Sequence, residues 1–307
     1  MARLPLVDPE TLPALRPRWY AHEWNRAVVY RAGARVLGAL PRTARLGLAR
    51  AVAARVRFPA ERAAVHANLA RIAPGASLRE REALVGALFG CFAMCFADLV
   101  STNRTEPRPD RLLAAVEGRE HLSAAVGDGR GLILLTAHLG NWELAGRLLA
   151  LGEGVPTWVV VAEEPDPEIG RFLRGGPAPV RFVTRSQPTA SVNLLAALRR
   201  REAVAMQGDR ALGTRGDVAV SFFGEPAPFP LGPFVLARAA AAPLLPAFCV
   251  LEPDHRYRIT VGAPIRVAAG GERRALATWV GVLETAVRRH PEQWFNFYDV
   301  WHGPTPG

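Results

Sequence analysis

The sequence contains no lysine; all 38 of its basic residues are arginine. Its positive charge is therefore carried by planar guanidinium groups, which grip carboxylate and phosphate in pairs of hydrogen bonds and do not deprotonate. There are only three cysteines, which excludes a small scaffold stapled by disulfides. Cys91, Cys95 and Cys249 lie in apolar stretches and read as buried reduced thiols, so the cytoplasm is the natural compartment. No uninterrupted apolar run reaches 18 residues, so no transmembrane span is expected. The first 20 residues are polar and include Pro5, Pro9, Pro13 and Pro17. They carry no secretory signal, and four prolines at that spacing cannot share one helix. Glycine and proline, 28 and 26 residues, stay below the level of low-complexity disorder. What is present is an ordinary globular composition, 50% hydrophobic and 21% charged over 307 residues. That is enough for one sizeable core or two modest ones.

The formal charge of +10 is unevenly spread. Residues 1–60 hold eleven arginines against Asp8, Glu10 and Glu23, and the rest of the chain is close to neutral. A basic segment on a near-neutral body points to an anionic partner. A phospholipid surface, nucleic acid and a merely solvated helix face all fit this charge. From Trp24 to about Phe58 apolar and arginine residues alternate at helical spacing, interrupted by Pro41, which predicts two amphipathic helices. No nucleic-acid-binding motif accompanies the charge, so the lipid surface is favoured and no nucleic acid is expected. The chain divides on this reading into an Arg-rich, membrane-facing segment, 1–60, and a single α/β domain, 61–307.

Helical patterns continue to about residue 128. Glu61 to Ala73 places Val65, Leu69 and Ile72 on one face, and Ser77 with Glu80 forms a capping-box pattern before a long apolar helix. After Gly131 the pattern changes. Short apolar runs at Leu132–Leu135, Val155–Val161, Val180–Val183, Ala203–Met206, Val218–Phe223, Leu244–Val250 and Tyr257–Val261 are separated by helical stretches near 142–151, 190–200 and 232–242. This alternation predicts a mainly parallel sheet flanked by helices, with the N-terminal helices as an extension.

The strongest local signal is Thr136-Ala-His-Leu-Gly-Asn-Trp-Glu143. It follows one apolar run and precedes a helix, so His138 falls just past the carboxyl end of a strand, where α/β sheets place ligands. Gly140 permits a tight turn and Asn141 suits a helix N-cap. A neutral imidazole is available as a base near pH 7. A carboxylate folded back from Glu143 would fix its tautomer and stabilise the imidazolium. The sequence has no Gly-x-Ser-x-Gly elbow, so an acceptor's own hydroxyl would be the nucleophile. A structural histidine at a helix start, with Glu143 on the helix dipole, is the alternative. The other histidines show no metal-ligand spacing, and no metal site is expected.

The segment His138-Leu-Gly-Asn-Trp-Glu143 resembles the His-x4-acid motif of the lysophospholipid acyltransferase superfamily, in the form found in its lipid A biosynthesis branch. Val65-His-Ala-Asn-Leu69, Val116–Leu122, Gly129–Leu135, Gly208-Asp-Arg210, Val220–Glu225 and Pro230–Ala237 are similar to that branch as well, over about residues 60–300. Two departures stand out. Arg-rich amphipathic stretches replace an apolar anchor helix, and Ala162-Glu-Glu-Pro-Asp-Pro167 replaces an arginine-bearing block.

The resemblance implies transfer of a fatty acyl group from an acyl carrier protein or acyl-coenzyme A donor to a hydroxyl of a lipid or glycolipid acceptor. The setting would be peripheral, on the cytoplasmic face of the inner membrane, with no cofactor. His138 and Glu143 are the catalytic candidates. Asn141, Asp209, Arg210, Phe223, Gly224, Glu225, Gly232 and Pro233 are the substrate-binding candidates. Each has a plainer reading. Asp209 and Arg210 can form a local ion pair, Gly232-Pro233 suits helix initiation, Phe223 suits core packing, and Glu225 suits a solvated surface. A catalytically silent lipid-binding protein on the same fold is the alternative function.

Overall fold

The structure is a computed structural model that describes residues 27–102, 109–146, 154–164, 166–174 and 180–302. The expected irregular opening, Trp24, and the far end of the helix expected over 142–151 lie outside these residues. Helices lead, as the apolar spacing predicts: α1 (Ala27–Gly38), α2 (Arg42–Ala53), α3 (Pro59–Ile72) and α4 (Leu78–Thr102). The capping box at the start of α4 is formed. Ser77 N–H donates to Glu80 Oε2 at 2.7 Å, and Glu80 N–H donates back to Ser77 Oγ at 3.3 Å. The stretch Leu78–Ser101 has the length and hydropathy to cross a membrane. It nevertheless buries Val85, Leu88, Phe89, Met94 and Cys95 against neighbouring elements and carries the buried Asp98, as a core helix does.

After the short helix α5 (Pro109–Leu112), strands β1 (Leu113–Glu117), β2 (Leu132–Thr136), β3 (Thr157–Val161), β4 (Val180–Thr184), β5 (Ala203–Gln207), β8 (Leu244–Leu251) and β9 (Tyr257–Val261) follow. Among the described residues these form one sheet in the order β1-β9-β8-β2-β5-β3-β4. Five neighbouring strands, β8 to β4, run parallel. The chain reverses between β8 and β9, which pair antiparallel, so β9 and β1 point the other way. The fold is thus α/β with a mainly parallel sheet flanked by helices, as the alternation predicts. Strand β2 sits between β5 and β8, and Leu132, Ile133, Leu134 and Leu135 are all buried. That is the continuous apolar run required of a strand covered on both faces.

The connecting helices are α6 (Arg119–Gly127), α7 (helical over 142–146), α8 (Pro167–Arg174), α9 (Ala190–Arg199), α10 (Gly232–Ala240) and α11 (Glu272–Arg289). Strands β6 (Asp217–Phe222) and β7 (Glu225–Pro230) make a separate antiparallel hairpin. β1 and β7 depart from the sequence pattern, in which the first falls within the helical stretch and the second has no apolar run. Among the described residues β1 pairs only with β9, at the sheet edge. β7 contains three prolines, which the hairpin tolerates because β6 is its only sheet partner among the described residues.

Candidate functional site

The turn after β2 is pinned from three sides. His138 C=O accepts from Phe295 N–H at 2.7 Å. Gly140 N–H donates to Gln293 C=O at 2.8 Å, and Asn141 N–H donates to Cys249 C=O at 2.7 Å. Gly140 has φ +63°, and a Cβ there would lie 2.0 Å from the Cys249 carbonyl oxygen. Only glycine meets both conditions. Asn141 is the N-cap of α7, its Oδ1 accepting from Leu144 N–H at 3.3 Å. Its Nδ2 donates to Cys95 C=O and to Tyr257 OH, each at 3.0 Å. Its amide is buried among protein groups.

The carboxylate on the imidazole belongs to Asp209, which follows β5. His138 Nδ1 lies 2.8 Å from Asp209 Oδ1, and Asp209 Oδ2 accepts from the His138 backbone N–H at 3.0 Å. Glu143 had been expected in this place, and Asp209 had been expected to bind substrate. The reason is topological: β5 neighbours β2 in parallel, so the residue two past its end faces the turn two past the end of β2. Glu143, from the first turn of α7, instead lines a small cavity with Thr136, Trp142 and Gln207, backed by Leu134, Val159 and Met206. Trp142 belongs to both places, since its ring meets the His138 ring edge-on with centroids 4.8 Å apart.

Asp209 is fully buried and accepts two further hydrogen bonds, from Trp294 Nε1 at 3.1 Å and Asn296 Nδ2 at 3.2 Å. Burial alone would raise its pKa. His138 and Arg210 outweigh that and hold the carboxyl well below the usual carboxylate range. The His138 ring is 14% exposed. Burial first and the Arg210 charge second lower its pKa below the ordinary imidazole value, against the pull of Asp209. At neutral pH the pair is a carboxylate and a neutral imidazole. A carboxylate only accepts, so Nδ1 carries the proton and Nε2 is left basic.

Arg210 is engaged within the protein. Its Nε donates to Asn296 Oδ1 and its Nη2 to Phe295 C=O, each at 2.7 Å, fastening the 293–296 segment over the turn. Phe223 and Gly224, expected to bind substrate, form the tip of the β6–β7 hairpin with φ +51° and +84°. Both central residues at positive φ make a type I′ turn. The Phe223 ring packs under Arg288 at 4.5 Å, and its N–H donates to Glu284 at 2.8 Å. Glu225 is exposed and bonded to Arg71 at 2.9 Å. Gly232 and Pro233 open α10. The structure thus brings His138 together with Asp209 and Arg210, while Phe223–Glu225 gather at the hairpin tip with Arg71, Glu284 and Arg288.

Sequence spacing does not single out Trp294 and Asn296, which bond Asp209. Nothing near residue 138 announces partners some 150 positions away. The three cysteines are free and protonated: burial pushes Cys91 up to about 11 and raises Cys95 and Cys249 far above the ordinary thiol range. Among the described residues no group of three or more His, Cys, Asp and Glu side chains is arranged to hold a metal ion.

Comparison with known proteins adds the family. The profile described as bacterial lipid A biosynthesis acyltransferase matches residues 17–302. A phosphatidylinositol mannoside acyltransferase of Mycobacterium tuberculosis (strain CDC 1551 / Oshkosh) is 30% identical over 190 residues, 61% of this chain and 59% of that protein. The lipid A biosynthesis lauroyltransferase of Escherichia coli K12 is 28% identical over 249 residues, 78% of each chain. The lipid A biosynthesis palmitoleoyltransferase of the same organism is 26% identical over 235 residues, 74% of each. The chain thus spans less than two thirds of the length of the mycobacterial relative.

Proposed function

The chain belongs to the bacterial lipid A biosynthesis acyltransferase family, and from that premise we propose that it transfers a fatty acyl group from a thioester to a hydroxyl of a glycolipid. The carrying observation is the His138–Asp209 pair at the carboxyl end of β2, with Nε2 left as a base. His138 Nε2 takes the proton of the acceptor hydroxyl as its oxygen attacks the thioester carbonyl. Asp209 balances the imidazolium through Nδ1–H. The tetrahedral intermediate collapses to the ester, and the departing sulfur takes the proton from Nε2. The products are an acylated acceptor and a free thiol. Glu143, on the wall of the neighbouring cavity, is assigned to hydrogen-bond acceptor hydroxyls. Acyl carrier protein and acyl-coenzyme A both supply the thioester this chemistry needs.

The relatives' names speak of phosphatidylinositol mannoside and lipid A; a glycolipid acceptor is the class they share. Residues 1–60 are assigned to the membrane surface and 61–307 to the chemistry. Leu48 and Val52 on α2, and Val56 just beyond it, are exposed apolar side chains, and Arg50, Arg55 and Arg57 beside them are exposed too. That combination suits an anionic headgroup layer, and the cytoplasmic face of the inner membrane is the proposed location. The test is thiol release from acyl-coenzyme A or acyl carrier protein with a glycolipid acceptor, by wild type and His138→Ala. Loss of at least a hundredfold is expected. Equal turnover in the two removes the mechanism, and lipid binding without turnover by the wild type favours a silent binding protein.

A further inference from the structure

A line of polar groups, half-buried at Arg42 and buried beyond it, runs from the N-terminal helices to the turn that carries His138. Arg42 on α2 donates Nε to Asp98 Oδ1 at 3.0 Å and Nη2 to Asp98 Oδ2 at 2.6 Å. Asp98 lies fully buried in α4. The Tyr257 hydroxyl, on β9, donates to Asp98 Oδ2 at 2.9 Å and accepts from Asn141 Nδ2 at 3.0 Å. Asn141 in turn caps α7. Four separate elements thus meet end to end, and the cap of the last, Asn141, lies three residues from the candidate base.

Stability does not account for this arrangement. A fully buried carboxylate such as Asp98 is expensive to desolvate, even with the half-buried Arg42 beside it, and apolar residues of the same volume often serve a core as well. What such a network does specify is position. Asn141 is the residue from which α7 departs, so its side chain sets the direction of that helix. The next residue, Trp142, lies against the imidazole, and Glu143 after it faces the cavity.

We propose that Arg42, Asp98 and Tyr257 are positioning residues for the site, holding Asn141 so that Trp142 stays against His138 and α7 keeps its angle. They act through Asn141 and touch no reacting atom. Through Arg42, the helix whose outer face exposes Leu48 and Val52 is tied to the reacting turn. The proposal rests on the reading of His138 as the base, so its test carries one measurement independent of turnover.

The experiment uses the full chain as wild type, Tyr257→Phe, Arg42→Gln and Arg42→Lys. One readout is thiol release from palmitoyl-coenzyme A with phosphatidylinositol mannoside as acceptor. The other is the NMR titration of histidine-labelled protein, with the His138 signal assigned by its absence in His138→Ala. The ring is faced by Asp209 and Arg210, which none of the positioning variants alters. Tyr257→Phe removes one oxygen and leaves Arg42 and Asp98 paired; Arg42→Lys keeps the charge and loses the two-pronged geometry.

Tyr257→Phe and Arg42→Gln are expected to lower kcat about tenfold or more with KM unchanged. Their His138 titration should move up toward the ordinary imidazole value as water reaches the ring. Arg42→Lys should fall between Arg42→Gln and wild type in both readouts. A His138 titration in Tyr257→Phe that superposes on the wild type overturns the proposal, as does unchanged kcat in an active enzyme. If the wild type releases no thiol, the acyl-transfer reading fails, and the titration alone decides whether these residues position the turn.

Discussion

In the proposed reaction, Asp209 is the residue on which the chemistry turns. It receives four hydrogen bonds in a fully buried position, so its charge is held where an imidazolium would form. Asp209→Asn keeps the shape and removes that charge, and it also allows the ring to adopt the wrong tautomer. A fall in kcat of about 10³- to 10⁴-fold is expected, by analogy with other carboxylate–histidine pairs. Glu143→Gln should cost less and act more on the acceptor KM. The reverse ranking in steady-state kinetics would return the orienting role to Glu143. The pH profile follows from the same pair. A folded-state His138 pKa below the ordinary value keeps the base neutral to lower pH. The acid limb of kcat/KM should therefore lie below about 6.5, with activity rising through it and level at pH 7. A limb at 7 or above would contradict this account of the ring's surroundings.

At the scale of elements, α2 has two unlike faces. One buries Leu46 and anchors Arg42 on Asp98, and the other leaves Leu48 and Val52 exposed. Val52→Glu should leave thermal unfolding unchanged and weaken sedimentation with anionic phospholipid vesicles. Arg55→Glu combined with Arg57→Glu should weaken it further, by about fivefold per lost arginine at low salt. Wild-type binding in both variants would assign that face to plain solvation. The same element shows what the sequence discloses. The periodicity of α2, the capping box of α4 and the apolar runs of β2, β3, β4, β5, β8 and β9 are local patterns and could be read directly. β1 could not, because Leu113-Ala-Ala-Val-Glu117 fits a helix as well as an edge strand, and only its pairing with β9 decides. His138 was legible for the same reason as β2, from its place at a strand end. Its partner was not, because Asp209 reaches it through the order of strands, which local spacing does not encode. Asp98 left a faint trace, a lone carboxylate among apolar neighbours in a long helix.

At the scale of the whole molecule, the segment 293–301 locks distant parts together. Trp294 and Asn296 bond Asp209, and Arg210 bonds Phe295 and Asn296. Asn68 on α3 donates to the carbonyls of Asn296 and Tyr298 and accepts from Val300 N–H. Asn68→Ala strips three backbone groups, two of them buried, of this partner. A loss of about 2–4 kcal/mol in denaturant unfolding is expected, with a parallel loss of turnover at temperatures where the wild type is active. A change under about 0.5 kcal/mol would mean that water replaces the amide at no cost.

The two indoles flanking the candidate base make it optically visible. Trp142 rests against the imidazole, and Trp294 gives its N–H to the carboxylate behind it. A protonated imidazole is an efficient quencher of indole emission, whereas a neutral one is not. The site thus carries a built-in lamp that dims as His138 gains its proton, and ligand-induced dehydration of the ring can be followed in unlabelled protein.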